Sequence, residues 1–211
     1  MIKAVIFDFD GVIINTEKPK FKSLKEKALK YGYKINNNQF NNFIGKKRGS
    51  YIKEMFPNIP KKDLEKILSE VRKNFHQNIK KYPLIKGIKS LIKYLKFNKI
   101  KIAITTGTNK KEIMKILKLY GINKFNLIVS GMEVKSSKPN PECYNITLKK
   151  LKLRPGEVIV IEDSPAGVIA AKKTGATVYG LGTYLSKKEL KGADFFFKDH
   201  IQILKYFKKI L

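Results

Sequence analysis

The chain has 211 residues, 43% of them hydrophobic, and a formal net charge of +28. That length suits one domain with a modest insertion and a sizeable core. No apolar run nears membrane-spanning length, and the first one is cut by Asp8 too early for a signal peptide. The single cysteine, Cys143, excludes an intramolecular disulfide and fits a reducing cytoplasm, where it reads as a packing residue. The positive charge is nearly all lysine, scattered from Lys3 to Lys209, with Arg48, Arg72 and Arg154 as the only arginines. Bidentate recognition of phosphates and bases calls for arginine, so the lysines are read as solvated helix faces. A basic nucleic-acid-binding module is kept as the disfavoured alternative.

In chain order, Ala4 to Phe7 is a wholly apolar run, as in a strand buried on both faces, and it ends in Asp8, Asp10 and Gly11. Alternation puts Asp8 and Asp10 on one side of the extended backbone and Phe9 on the other. Phe21, Leu24, Ala28 and Leu29 then recur at helical spacing up to Gly32. An Asn-rich link, Asn36 to Asn42, leads to a basic piece containing Arg48; Pro57 to Pro60 break the chain, and Asp63 to about Lys80 reads as a longer helix. No strand intervenes, so residues 16–81 form a helical insertion and residues 1–15 and 82–211 the main domain. In the main domain, predicted strands at Ile100 to Thr105, Phe125 to Val129, Val158 to Ile161, Ala176 to Leu181 and Asp194 to Phe197 alternate with predicted helices. The helices run over Gly87 to Phe97, Asn109 to Tyr120, Pro141 to Leu151, Ser164 to Thr174 and Ile201 to Leu211. Alternation of this kind means an α/β fold, a Rossmann-like parallel sheet with right-handed crossovers. His76 and His200 sit in no motif and are read as surface residues.

In such a sheet the C-terminal strand ends converge on one edge, where ligands bind. That edge would gather Asp8 and Asp10, Thr106, Lys138 from the loop after the third strand, and Glu162 with Asp163. Each has a dull explanation alone, Thr106 or Glu162 and Asp163 as helix caps for example, but four such explanations at one edge are too many.

Asp8-x-Asp10-Gly11, then Thr106, Lys138-Pro139 and Glu162-Asp163-Ser164, in that order from Met1 to about Gly182, resemble the haloacid dehalogenase superfamily. The likeness is to its β-phosphoglucomutase and phosphoglycolate phosphatase branch, with an inserted α-helical cap domain. The resemblance implies Asp8 as nucleophile, forming an aspartyl-phosphate, and Asp10 as general acid and then base. It implies Mg²⁺ held by Asp8, the backbone carbonyl of Asp10, and Asp163. Glu162 is implied either as a further ligand or as a group orienting the others. Lys138, Thr106 and the nearby backbone N–H groups, Gly107 included, would hold the phosphoryl oxygens. Thr106 is preferred to Thr105, which a buried strand should place with the core. The acid at position 10 excludes the dehalogenases and phosphonate-cleaving members, which lack it, and indicates an oxygen leaving group.

Arg48 matches a cap position where the mutases hold a substrate's second phosphate, and Lys73 lies near another. Lys20 stands where the mutases carry a histidine, and Asn15 replaces the usual aspartate of Asp-Thr-Glu; both departures weigh against mutase activity. The expectation is a cytoplasmic, monomeric, Mg²⁺-dependent phosphatase acting on a small phosphorylated metabolite such as a sugar phosphate or phosphoglycolate. A β-phosphoglucomutase-like phosphomutase is the alternative, and no membrane partner is expected.

Overall fold

The computed structural model describes residues 1–45, 48–78, 82–122 and 124–210, without the side chains of Arg48 and His76. Six strands form one parallel sheet in the order β3-β2-β1-β4-β5-β6. They are β1 (Ala4–Phe7), β2 (Lys101–Thr105), β3 (Leu127–Val129), β4 (Val158–Glu162), β5 (Thr177–Leu181) and β6 (Phe195–Phe197). The expected α/β architecture is the one that forms. β1 lies between β2 and β4, with Phe7 opposite Ile104 on one side and Ile161 on the other. All four of its side chains are buried, which is why the run carries no polar residue before Asp8. β3 begins later than its apolar pattern suggests because the Asn126 side chain accepts the Ile102 N–H at 2.8 Å, taking the place of a backbone carbonyl.

The chain divides into two compact units, Met1–Ile14 with Leu84–Leu211, and Asn15–Pro83. The second unit is helical: α1 (Glu17–Leu29), α2 (Phe40–Phe43), α3 (Arg48–Met55) and α4 (Lys61–Gln77). Its core gathers Phe21, Leu24, Ile52, Ile67 and Val71 with neighbouring apolar side chains. The Asn-rich link forms a 3-10 turn at Asn37–Gln39 that runs into α2. Gln39 accepts the Asn36 N–H at 2.8 Å, and Phe40 and Phe43 each pack 5.3 Å from the Phe21 ring, centroid to centroid. Lys20 breaks the rule that lysines here are solvated: it is buried, 3.3 Å from Glu17, with its ammonium 5.6 Å from the centre of the Phe75 ring. Arg48 opens α3, and Lys73 is exposed on α4. The expected helix end at Lys80 lies outside the described residues.

The sheet unit adds α5 (Ile88–Phe97), α6 (Lys110–Leu119), α7 (Glu142–Leu151), α8 (Pro165–Lys172) and α9 (His200–Ile210). α5 and α9 pack side by side, with the Tyr94 hydroxyl donating to the Phe207 carbonyl at 3.5 Å. α7 packs on β2 and β3, and α8 on β4 and β5. No described helix is long and apolar enough to cross a membrane.

His200 is not a surface residue. It is fully buried at the start of α9, on the inward face it shares with Ile203 and Phe207. Its Nε2 lies 2.6 Å from the Val12 carbonyl, whereas Nδ1 is buried without a partner. Burial pushes its pKa from 6.5 down to about 4, opposed by the bond to Val12. The folded protein thus keeps the ring neutral where the unfolded chain takes up a proton. The stability tied to this group is whole above pH 6.5 and falls as the pH drops toward about 4. Its full span is about 3 kcal/mol, at about 1.4 kcal/mol per pKa unit. We expect His200→Gln, followed by urea unfolding from about pH 7 to about pH 4.5, to lose less stability over that interval than the parent chain. Equal losses would assign the acid sensitivity to other groups.

Candidate active site

β1 ends at Phe7, and the next residue continues its ladder: the Asp8 N–H donates to the Ile161 carbonyl at 3.0 Å. Its carboxylate therefore emerges at the C-terminal edge of the sheet, largely buried at 8% exposure. Lys138 arrives from the loop between β3 and α7. Its ammonium lies 2.5 Å from Asp8 Oδ1, 2.6 Å from Glu162 Oε1 and 3.4 Å from the Thr105 carbonyl.

Glu162, the last residue of β4, is fully buried and commits both oxygens to protein donors. Oε1 accepts from Lys138 and from the Tyr144 hydroxyl, the latter at 2.6 Å; Oε2 accepts the Asp163 N–H at 3.1 Å and the Ser164 hydroxyl at 3.2 Å. The first turn of α8 makes room for it. A Cβ on Gly167 would fall 1.9 Å from Glu162 Oε1, so only glycine lets the helix approach this closely.

Two residues beyond Asp8, Asp10 Oδ2 accepts the Thr108 hydroxyl at 2.5 Å. Gly11 follows with φ of 75°, in the left-handed region glycine favours. Here too a side chain is excluded, because a Cβ would sit 1.8 Å from Asp163 Oδ2. The Asp163 carboxylate is thus held directly against the Asp10–Gly11 backbone. Thr105 faces the core, fully buried with its hydroxyl 2.6 Å from that of Thr147. Thr106 stands at the rim, where its oxygen accepts the Thr108 N–H at 3.2 Å.

Lys138 therefore bridges Asp8 and Glu162, Asp163 lies against the Asp10–Gly11 turn, and Thr106 and Gly107 form the turn that delivers Thr108 to Asp10. Arg48 and Lys73 belong to the helical unit. Two participants were not anticipated from sequence. Thr108 is one of several threonines in its loop, and Tyr144 sits on a helical apolar stripe that reads as core.

Burial drives the Asp8 pKa up to about 7; Lys138 opposes the rise, and Glu162 and Asp10 add to it. Burial alone would depress the Lys138 ammonium, but Asp8 and Glu162 hold its pKa well above the ordinary lysine value. Four carboxylates around one ammonium leave the rim short of positive charge, a demand a divalent cation meets. The donors are hard oxygens, and the contact of Asp163 with the Asp10–Gly11 backbone brings a carboxylate beside main-chain atoms, a set suited to Mg²⁺. Among the described residues no three acidic, histidine or cysteine side chains form a metal cage by themselves, so the fit depends on the Asp10 carbonyl serving as a ligand.

The sequence matches the family described as haloacid dehalogenase-like hydrolase over residues 5–181. A phosphorylated carbohydrates phosphatase of Thermotoga maritima is 30% identical over 187 residues, 85% of each chain. Among solved structures, β-phosphoglucomutase from Clostridium difficile superposes with a TM-score of 0.86 at 25% identity, covering 99% of this chain and 96% of that one. CbbY from Rhodobacter sphaeroides, solved with xylulose 1,5-bisphosphate, gives a TM-score of 0.80 at 23% identity over 94% of this chain and 95% of its own.

The tight seat of Glu162 is directly testable. We expect Gly167→Ala to displace the buried carboxylate and cost about 1–3 kcal/mol of stability in chemical denaturation. An unchanged midpoint would mean that Glu162 does not lie against this turn.

Proposed function

The chain belongs to the haloacid dehalogenase-like hydrolases, as one of their phosphatases, and from that premise we propose that it hydrolyses small phosphorylated carbohydrates by way of an aspartyl-phosphate on Asp8. The observation that carries this reading is the Lys138 ammonium 2.5 Å from Asp8 Oδ1 at the sheet edge, with a second acid two residues on. Lys138 engages Oδ1, so Oδ2 is the oxygen that attacks phosphorus, splitting one difficult displacement into two easier ones. Thr108 donates to Asp10 Oδ2, which puts the acid proton on Oδ1. From there Asp10 protonates the departing sugar oxygen and later takes a proton from the water that cleaves the aspartyl-phosphate.

Lys138, the Thr106 hydroxyl and the Gly107 N–H hold the phosphoryl oxygens as negative charge builds on them. Mg²⁺ would be held by Asp8, the Asp10 carbonyl and Asp163, and when bound it supplies positive charge against the phosphoryl group. Glu162, with both oxygens already engaged by protein donors, acts as the group that aims Lys138 and not as a metal ligand. Arg48 and Lys73 are candidates for binding the rest of the substrate, in keeping with a sugar bearing a further anionic group.

A phosphomutase is the second reading, favoured by the likeness to β-phosphoglucomutase over nearly the whole chain. Against it stands Lys20, already buried and ion-paired with Glu17, where the mutases carry a histidine. Product analysis separates the two: we expect β-glucose 1-phosphate to yield inorganic phosphate, whereas conversion to glucose 6-phosphate would establish the mutase.

Two further outcomes test the chemistry. Asp8→Asn should lower turnover of sugar phosphates by at least about a thousandfold with the circular dichroism spectrum unchanged; substantial residual activity would remove Asp8 as nucleophile. Asp10→Asn should slow alkyl phosphates far more than aryl phosphates with good leaving groups. Equal slowing of both would take the acid role from Asp10.

A further inference from the structure

Lys138 faces a problem of valence. An ammonium has three N–H donors, and those of Lys138 are directed at Asp8 Oδ1, Glu162 Oε1 and the Thr105 carbonyl. To grip a phosphoryl oxygen it must release one acceptor without leaving its place. The three bonds are unequal. Those to the carboxylates measure 2.5 and 2.6 Å, whereas the carbonyl lies at 3.4 Å, beyond the range of a strong N–H···O bond. A fourth contact does not consume a donor at all: the Lys138 nitrogen lies 4.9 Å from the centre of the Tyr144 ring, inside the range of a cation–π attraction. The same Tyr144 donates its hydroxyl to Glu162 Oε1 at 2.6 Å, so that oxygen is shared between lysine and phenol and is not given wholly to the lysine.

We propose that Tyr144 is a positioning residue on which Lys138 pivots, its ring holding the ammonium in place while one N–H turns from the Thr105 carbonyl to a phosphoryl oxygen. Attraction to a ring face is indifferent to which N–H points where, so the ammonium re-aims a donor without losing that contact. The hydroxyl plays the second part by drawing on Glu162 Oε1, which leaves more of the lysine's charge for Asp8 and the incoming group. Full burial of Tyr144 keeps water from competing for the ring face. Thr147, one turn further along α7, bonds Thr105 through its hydroxyl, so one helix steadies both the pivot and the strand end whose carbonyl is released.

This inference rests on the phosphatase reading, and its test keeps the two apart. The probe is inorganic phosphate in saturating Mg²⁺, measured as a competitive inhibitor of p-nitrophenyl phosphate turnover and by calorimetry. Tyr144→Phe keeps the ring and removes the hydroxyl. Incorporation of 3,4,5-trifluorophenylalanine at the same position keeps the ring's shape and weakens its negative face, so neither change opens a cavity. We expect Tyr144→Phe to weaken phosphate about threefold and the fluorinated ring to weaken it about tenfold more. The melting temperatures of the two variants should be alike. Equal phosphate affinity for the two aromatic variants would overturn the pivot while leaving the phosphatase intact. A parent protein that neither binds phosphate nor releases it from any sugar phosphate would overturn both.

Discussion

One ammonium held between two buried carboxylates is the interaction on which the rest of this structure depends. Taking Asp8, Glu162 and Lys138 out of water costs several kcal/mol per ion. That cost is offset only because each charge has charged or hydrogen-bonding partners at close range. The offset is incomplete: burial raises the Asp8 pKa to about 7, with Glu162 and Asp10 adding to the rise and Lys138 opposing it. A site so rich in carboxylates suits a divalent cation.

The fold exists around that cluster in a literal sense. Asp8 continues β1, Glu162 ends β4, and the two strands are in register along their whole paired length, so the two acids are brought level by backbone hydrogen bonds and not by flexible loops. Lys138 needs only a loop because its long side chain reaches over to both. Where close approach was required, glycine was used: Gly11 admits the Asp163 carboxylate, and Gly167 admits that of Glu162. Tyr144 and Thr147 on α7 close the site from beneath.

Much of this was legible in the sequence, for identifiable reasons. Strands buried on both faces are conspicuous, so acids at their ends stand out, and parallel connectivity then obliges Asp8, Thr106, Lys138 and Glu162 to share an edge. What escaped notice were side chains whose local pattern carries a second meaning. Tyr144 lies on the apolar stripe of α7, and its hydroxyl could not be assigned a partner without the position of Glu162. Thr108 required the turn at Gly107 to be known. His200 was misjudged although a signal existed, since it shares the inward spacing of Ile203 and Phe207; its polarity outweighed its register. Phe40 within the Asn-rich link at 36 to 42, and Phe43 just after it, bind the segment to Phe21, a role its asparagine content does not reveal.

The loop following β1 is tied down by distant parts of the chain. The Gly11 carbonyl accepts the hydroxyl of Thr183 at 2.7 Å, and the Val12 carbonyl meets His200 at 2.6 Å. These partners lie 172 and 188 residues further along the chain, and contacts of such separation are slow to form because loop-closure entropy is lost before they are made. A chain truncated before α9 holds every acid and lysine of the site while Val12 lacks its latch. The setting of the loop that carries Asp10 and Gly11 is thus decided by its most remote neighbours as well as by the strand before it.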